Sequence, residues 1–354
     1  MLKSVITGSG HYLPTEVIKG DYFMDSVFYD INGDRIDKDN GEIIQKFVEI
    51  TEIEERRYIS EDQMNSEIGA LASEQALADS GIDREDLDYV IAASNFGDVT
   101  ANGLTNFMPS MSSRIKNRLG IKNRKCKTYD MIFGCPGWVE AFILANDLIQ
   151  AKRAKKILVV GTETLSRVVD IHDRDRMIFA DGAGAVMVQA VEGTDEGFIN
   201  SCTLCDNSME IDYLKNDFSL NPELPDNRTY IRMKGRKIYE YALKNVPLAI
   251  KETLDDAGLD IDDIDKILIH QANAKMDHAI INRLFKLYNK PYREDIAPMT
   301  IQKFGNSSVA TVPTMYDMIK RGEMENHSFK KNGYVVMASV GAGMNINCLV
   351  YKNA

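Results

Sequence analysis

The chain has 354 residues, 44% hydrophobic and 27% charged, with a formal net charge of −11. That is the make-up of a globular protein of two domains or one large layered body, and the excess of acid disfavours nonspecific nucleic-acid binding. Apolar runs such as AFILA (141–145) fall far short of the roughly 18–20 residues of a membrane span, and five cysteines, an odd number, argue against a secreted disulfide framework.

The N-terminal MLKSVITGSGHYLP reads as a strand and a turn with no signal-peptide cleavage site, so a cytoplasmic protein is expected. GSG at 8–10 has no third glycine and no helix behind it, which excludes a dinucleotide fingerprint. Residues 20–45 read as an insertion. Its acidic part, FYDINGDRIDKDNGE (28–42), cannot be a calcium loop. Gly33 or Gly41 at the sixth position puts Phe28 or Ile36 where a carboxylate is required. A solvated stretch is expected there.

Next comes an amphipathic helix, SEIGALASEQALA (66–78), an acidic turn and a strand, YVIAAS (89–94). This phrase returns at an offset of 177 residues. DSGIDREDLDYVI (79–91) matches DAGLDIDDIDKIL (256–268), pairing Gly81 with Gly258, Asp83 with Asp260 and Asp86 with Asp263. The second copy follows the helix 235–254 and enters the strand KILIHQ (266–271). The echo predicts two duplicated α/β halves, 1–190 and 191–354. Their strand ends would meet in a shared pocket.

Between the copies lies MIFGCPGW (131–138). Cys135 stands at a turn between an apolar run and a helix, with Pro136 expected at the first helical position. The helix start would favour thiolate, lower the thiol pKa and offer a backbone N–H to an oxyanion. The strand 155–163 follows, and DGAGA (181–185) leads into another strand without a P-loop lysine. CTLC (202–205) has no companion pair or histidine cluster, so no metal site is expected. In the second half, His270 ends the strand KILI, and Asn306 heads a helix that mirrors the one at Cys135. A strand (333–339) and GAG (341–343) close the chain.

Cysteine, histidine and asparagine admit two chemistries. In a hydrolase, histidine activates the thiol and asparagine orients it. In carbon–carbon bond formation, imidazole and amide stabilise the enolate left when a malonyl thioester loses carbon dioxide. Duplication favours the second, since each half offers a helix start to one pocket. A non-catalytic acyl-binding protein is the remaining alternative.

The Cys-x-Gly helix start with VVGTETLSR downstream, DGAGA, HQAN (270–273), FGNSSVATVPT (304–314) and GAG resemble the β-ketoacyl-[acyl carrier protein] synthase III family of the thiolase superfamily over nearly the whole chain. The resemblance implies a five-layered αβαβα fold, a homodimer and no cofactor. It implies condensation of a primer acyl group with malonyl-acyl carrier protein. Cys135 would accept the acyl group, His270 and Asn306 would hold the malonyl thioester, and the backbone of Cys135 and Ala342 would form the oxyanion hole. Ala342 stands where the family has the middle glycine of a triplet.

Arg174 looks like the family's adenine-stacking arginine, but Lys46 takes the usual tryptophan's place, and the only tryptophan, Trp138, follows the nucleophile. A longer acyl-CoA or an acyl-carrier protein primer then replaces acetyl-CoA, as in related ketide synthases of secondary metabolism. Asn273 and the basic residues Arg232, Lys234, Arg236, Lys237, Lys275, Arg283 and Lys286 are candidates for gripping coenzyme A or an acidic carrier protein.

Overall fold

The computed structural model describes residues 2–224 and 227–354. One sheet holds β1 (Leu2–Tyr12), β2 (Tyr89–Ala93), β3 (Lys127–Met131), β4 (Lys156–Thr164) and β5 (Asp181–Glu192), in the order β1–β5–β4–β2–β3. The other holds β6 (Gly197–Cys205), β7 (Ile264–Ile269), β8 (Tyr334–Gly341) and β9 (Asn345–Lys352), in the order β6–β9–β8–β7. The pairing sense repeats. β5 is antiparallel to β1 and β4, and β2 is parallel to β4. Likewise β9 is antiparallel to β6 and β8, and β7 is parallel to β8.

Both sheets are apolar on two faces, as strands covered on both sides must be. Tyr89, Ile91, Ile157 and Val159 face one way, toward α4 (Gly137–Gln150) and α7 (Thr311–Lys320), which also pack on Val335, Met337 and Leu349 of the second sheet. The alternate residues Val90, Ala92, Leu158 and Val160 face α2 (Asn65–Ser80) and α3 (Met111–Arg118). On the far side, Ile267, Ile269 and Val336 meet α5 (Gly235–Asp256) and α6 (Ala274–Leu287). The result is the expected αβαβα stack. Trp138 and Phe142 lie in its middle layer with essentially no exposure, each such side chain stabilising the fold by roughly 1.5–3 kcal/mol.

The repeated phrase is repeated structure. Gly81 ends α2 at φ 66° and Gly258 follows α5 at φ 69°, a left-handed conformation that glycine adopts without a Cβ clash. Asp83 and Asp260 then cap equivalent single turns, accepting from the Glu85 and Asp262 N–H groups. The stretch 28–42 is solvated along most of its length, as expected, but it is anchored at one end. Phe28 is buried with Phe23, Ile43 and Met177, and residues 40–51 form a helix, α1 (Asn40–Thr51). These apolar side chains dock the segment on the body, which its acidic composition conceals.

Candidate active site

Gly134, at φ 68°, turns the chain between β3 and α4. Pro136 already has helical dihedrals (φ −66°, ψ −9°), and α4 begins one residue later than expected, at Gly137. Cys135 is half-buried just before it, at a cavity of about 360 Å³ walled by Phe96, Phe133, Leu165, Phe179 and Ile231.

His270 lies one residue past β7, its N–H continuing the ladder to the Ala338 carbonyl at 2.8 Å. Asn306 is locked by its backbone. Its N–H donates to the Ile178 carbonyl, and its carbonyl accepts from Ala180, both at 2.9 Å. A three-residue turn, Ser308–Ala310, separates it from α7. The three sequence-predicted residues meet through Ser308. Its hydroxyl lies beside the Cys135 thiol and favours the thiolate. Its backbone stands close to the His270 ring, and its N–H donates to Asn306 Oδ1 at 2.8 Å. That last bond leaves the Asn306 NH₂ as the donor end. Ser308 holds a left-handed φ of 53°, strain of the kind that accumulates at functional sites.

The site is electrically quiet. Burial pushes the Cys135 thiol up to about 11, against the pull of the Ser308 hydroxyl. This is opposite to the lowering expected at the helix start: burial, with Glu163 adding to it, disfavours the thiolate. Burial likewise holds His270 down at about 4, so its imidazole is neutral. Its Nδ1 has no hydrogen-bond partner among the described residues. A neutral imidazole and a neutral amide can donate to developing negative charge with no buried ion beforehand.

A second space, about 900 Å³, opens between α1 and the start of α5. Ile178 lines this cleft and the adjacent Phe179 lines the Cys135 cavity, so Asn306, bridged to that segment, stands at their junction. Arg174, Arg236 and Asn273 line the cleft as expected, with Lys46, Phe47 and Tyr239. Asn273 also caps α6, its side chain accepting the Met276 N–H at 3.1 Å. Lys237, Lys275 and Arg283 are exposed but outside the cleft lining. Arg232 is a correction. It is a nearly buried internal cation, 2.6 Å from Asp173 and 3.3 Å from Asp170, and is not available to an incoming anion.

The candidate oxyanion segment packs directly on the nucleophile turn. A Cβ on Gly341 would lie 2.5 Å from the Cys135 nitrogen, and one on Gly134 would lie 2.6 Å from the Ala342 nitrogen. Gly343 needs its φ of 76°, whereas Ala342, which shares the Cys135 cavity, has no positive φ. Alanine is therefore tolerated in the middle of the triplet and only there. Sequence reasoning missed Asn95, Glu163 and Ser308. The polar pair Ser94-Asn95 at the end of YVIAA was the available signal, since strand ends carry sites in α/β folds.

We expect Gly341→Ala to lose at least about 2 kcal/mol of stability, and Ala342→Gly to stay within about 1 kcal/mol of the parent. Urea unfolding midpoints decide between them. Equal losses would contradict the backbone contact.

Residues 129–207 match the 3-oxoacyl-[acyl-carrier-protein (ACP)] synthase III family, and residues 254–353 match its C-terminal part. The β-ketoacyl-[acyl-carrier-protein] synthase III of Clostridium acetobutylicum is 30% identical over 98% of both chains, and that of Clostridium perfringens 32% identical over 84% of this chain and 87% of its own. Among solved structures, the 3-oxoacyl-[acyl-carrier-protein] synthase III of Aquifex aeolicus superposes with a TM-score of 0.80 at 27% identity, covering 99% of both chains. The Thermus thermophilus enzyme gives 0.80 at 28%, with the same coverage. The chain belongs to the 3-oxoacyl-[acyl-carrier-protein] synthase III family of condensing acyltransferases, with their thiolase-like fold.

Proposed function

We propose that a primer acyl group is carried on Cys135 and condensed there with malonyl-acyl carrier protein. The observation that carries this is the junction at Ser308, where thiol, neutral imidazole and amide share one residue between cavity and cleft. The Cys135 sulfur attacks the primer thioester, the new C–S bond replaces the old, and the thiol proton ends on the departing donor sulfur. The malonyl thioester then loses carbon dioxide. Its enolate is held by His270 and Asn306 and attacks the acyl carbonyl, breaking the bond to Cys135. The released thiolate takes a proton at once, since its pKa is about 11. The N–H groups of Cys135 and Ala342 receive the oxyanion in both acyl transfers.

The cavity beside Cys135, about 360 Å³, is far larger than an acetyl group needs, and no tryptophan lines the cleft. Both favour a longer acyl primer, delivered on coenzyme A or a carrier protein. Arg174 and Arg236 would meet its phosphates, with Lys237, Lys275 and Arg283 on the rim of a carrier-protein landing patch. The all-free cysteines and the absence, among the described residues, of a helix long and apolar enough to cross a membrane fit a cytoplasmic enzyme.

β3 is an edge strand, with Tyr129 and the neighbouring Ile132, Phe107 and Met108 exposed. An uncovered apolar edge invites pairing, and a second copy of the chain is the proposed cover. The enzyme should sediment as a dimer, and a stable monomer at micromolar concentration would contradict this.

His270→Ala and Asn306→Ala should still acylate Cys135 but release carbon dioxide from malonyl thioester about 10²–10³-fold more slowly. In the parent enzyme that release should be flat from about pH 5.5 to 8, because the depressed imidazole pKa keeps His270 neutral there and protonates it only toward pH 4. A step with a midpoint near 6.5, or variants that decarboxylate normally but cannot be acylated, would sink these roles.

A further inference from the structure

The reaction above makes no use of Glu163, yet its carboxyl is wholly buried near the end of β4. Oε1 accepts the Asn95 backbone N–H at 2.8 Å and the Asn95 Nδ2–H at 2.6 Å. Oε2 lies 3.4 Å from Ser94 Oγ. Asn95 in turn accepts the Gly134 N–H on Oδ1 at 2.9 Å and reaches Ser308 Oγ from Nδ2 at 3.4 Å. Ser308 is the hydroxyl beside the Cys135 thiol that favours the thiolate. Asn95, Gly134, Cys135 and Ser308 all line the acyl cavity, and Glu163 stands directly behind them.

We infer that Glu163 is a positioning residue: by gripping Asn95 it fixes Gly134 and Ser308, the neighbours of the Cys135 sulfur, and so sets how readily that sulfur reacts. The carboxyl accepts two N–H groups on Oε1 and the Ser94 hydroxyl on Oε2, bonds that favour its ionised form, while complete burial favours the neutral acid and prevails. Ser94 also accepts from Asn65 Nδ2 at 3.1 Å, which holds that hydroxyl in place. The titratable groups facing Glu163 are Asp181 on β5 and Cys135 itself, with His270 one step away through Ser308. Burial, with a smaller push from Asp181 and against the pull of the Asn95 and Ser94 hydrogen bonds, raises the carboxyl to about 8. Once ionised, Glu163 puts a negative charge behind the thiol and opposes a second one on sulfur. Above about pH 8 the cysteine is thereby kept protonated and slow toward stray electrophiles, while its polar partners stay aligned for the primer.

This inference rests on Cys135 being the acylated residue, and its test separates the two. The pH profile of iodoacetamide alkylation at Cys135, followed by peptide mass, is compared in parent and Glu163→Gln enzyme. Glutamine keeps the acceptor for Asn95 and loses the charge, so the inflection should fall by roughly 0.5–1 pH unit, with primer transfer near the parent rate. Glu163→Ala removes the acceptor as well and should slow primer transfer about tenfold or more. An unshifted Glu163→Gln profile would overturn the inference whether or not Glu163→Ala folds, and would leave the role of Cys135 intact. Loss of acylation in Cys135→Ser is the separate test of that role.

Discussion

The Gly134–Cys135 turn of the first half and the Gly341–Ala342 turn of the second touch backbone to backbone, at a distance that no side chain can enter. Duplication supplies the two turns, but only glycine at 134 and 341 lets them close. This contact puts the nitrogen of the nucleophile and the nitrogen of the candidate oxyanion donor on one wall of one cavity. Everything else at the site is hung from it. α4 and α7 run away from that wall between the sheets, and their burial in the central core holds it rigid.

Rigidity matters because the site works with weak, neutral groups. A protonated thiol, an unprotonated imidazole and a carboxamide avoid the several kcal/mol that a buried, unpaired ion would cost. In the proposed reaction negative charge is generated only as bonds change, and the donors would already be in position to receive it. The same burial that keeps His270 neutral keeps Cys135 protonated, so one physical cause accounts for both. Ser308 is the shared joint. Its strained backbone is held by Asn306, and its hydroxyl lies 3.4 Å from Asn95 Nδ2.

The αβαβα order was legible because the repeated Gly-acid-strand phrase fixes the same helix, turn and strand twice; Cys135 and His270 were legible as candidates because they stand at a helix start and a strand end, whereas Asn306 was placed at a helix start and lies before the turn that leads into α7. The supporting residues were not legible. Asn95 and Ser308 are 213 positions apart, and nothing local in either segment signals a hydrogen bond between them. Arg232 looked like surface charge because sequence does not show Asp170 and Asp173 folded around it. The thiol was misjudged for a related reason. The helix start can be read from Pro136, but the apolar walls that outweigh it, such as Phe96, Leu165 and Ile231, arrive from distant segments.

The central claim is that Cys135 stores an acyl group until a malonyl thioester discharges it. Intact-mass analysis of the enzyme, offered acyl donors of two and of eight carbons and then malonyl-acyl carrier protein, tests this directly. The account predicts one adduct per chain, located on Cys135, favouring the longer donor, stable in water and released as a 3-oxoacyl product when the malonyl donor is added. No adduct, or one that water discharges without the malonyl donor, would contradict it.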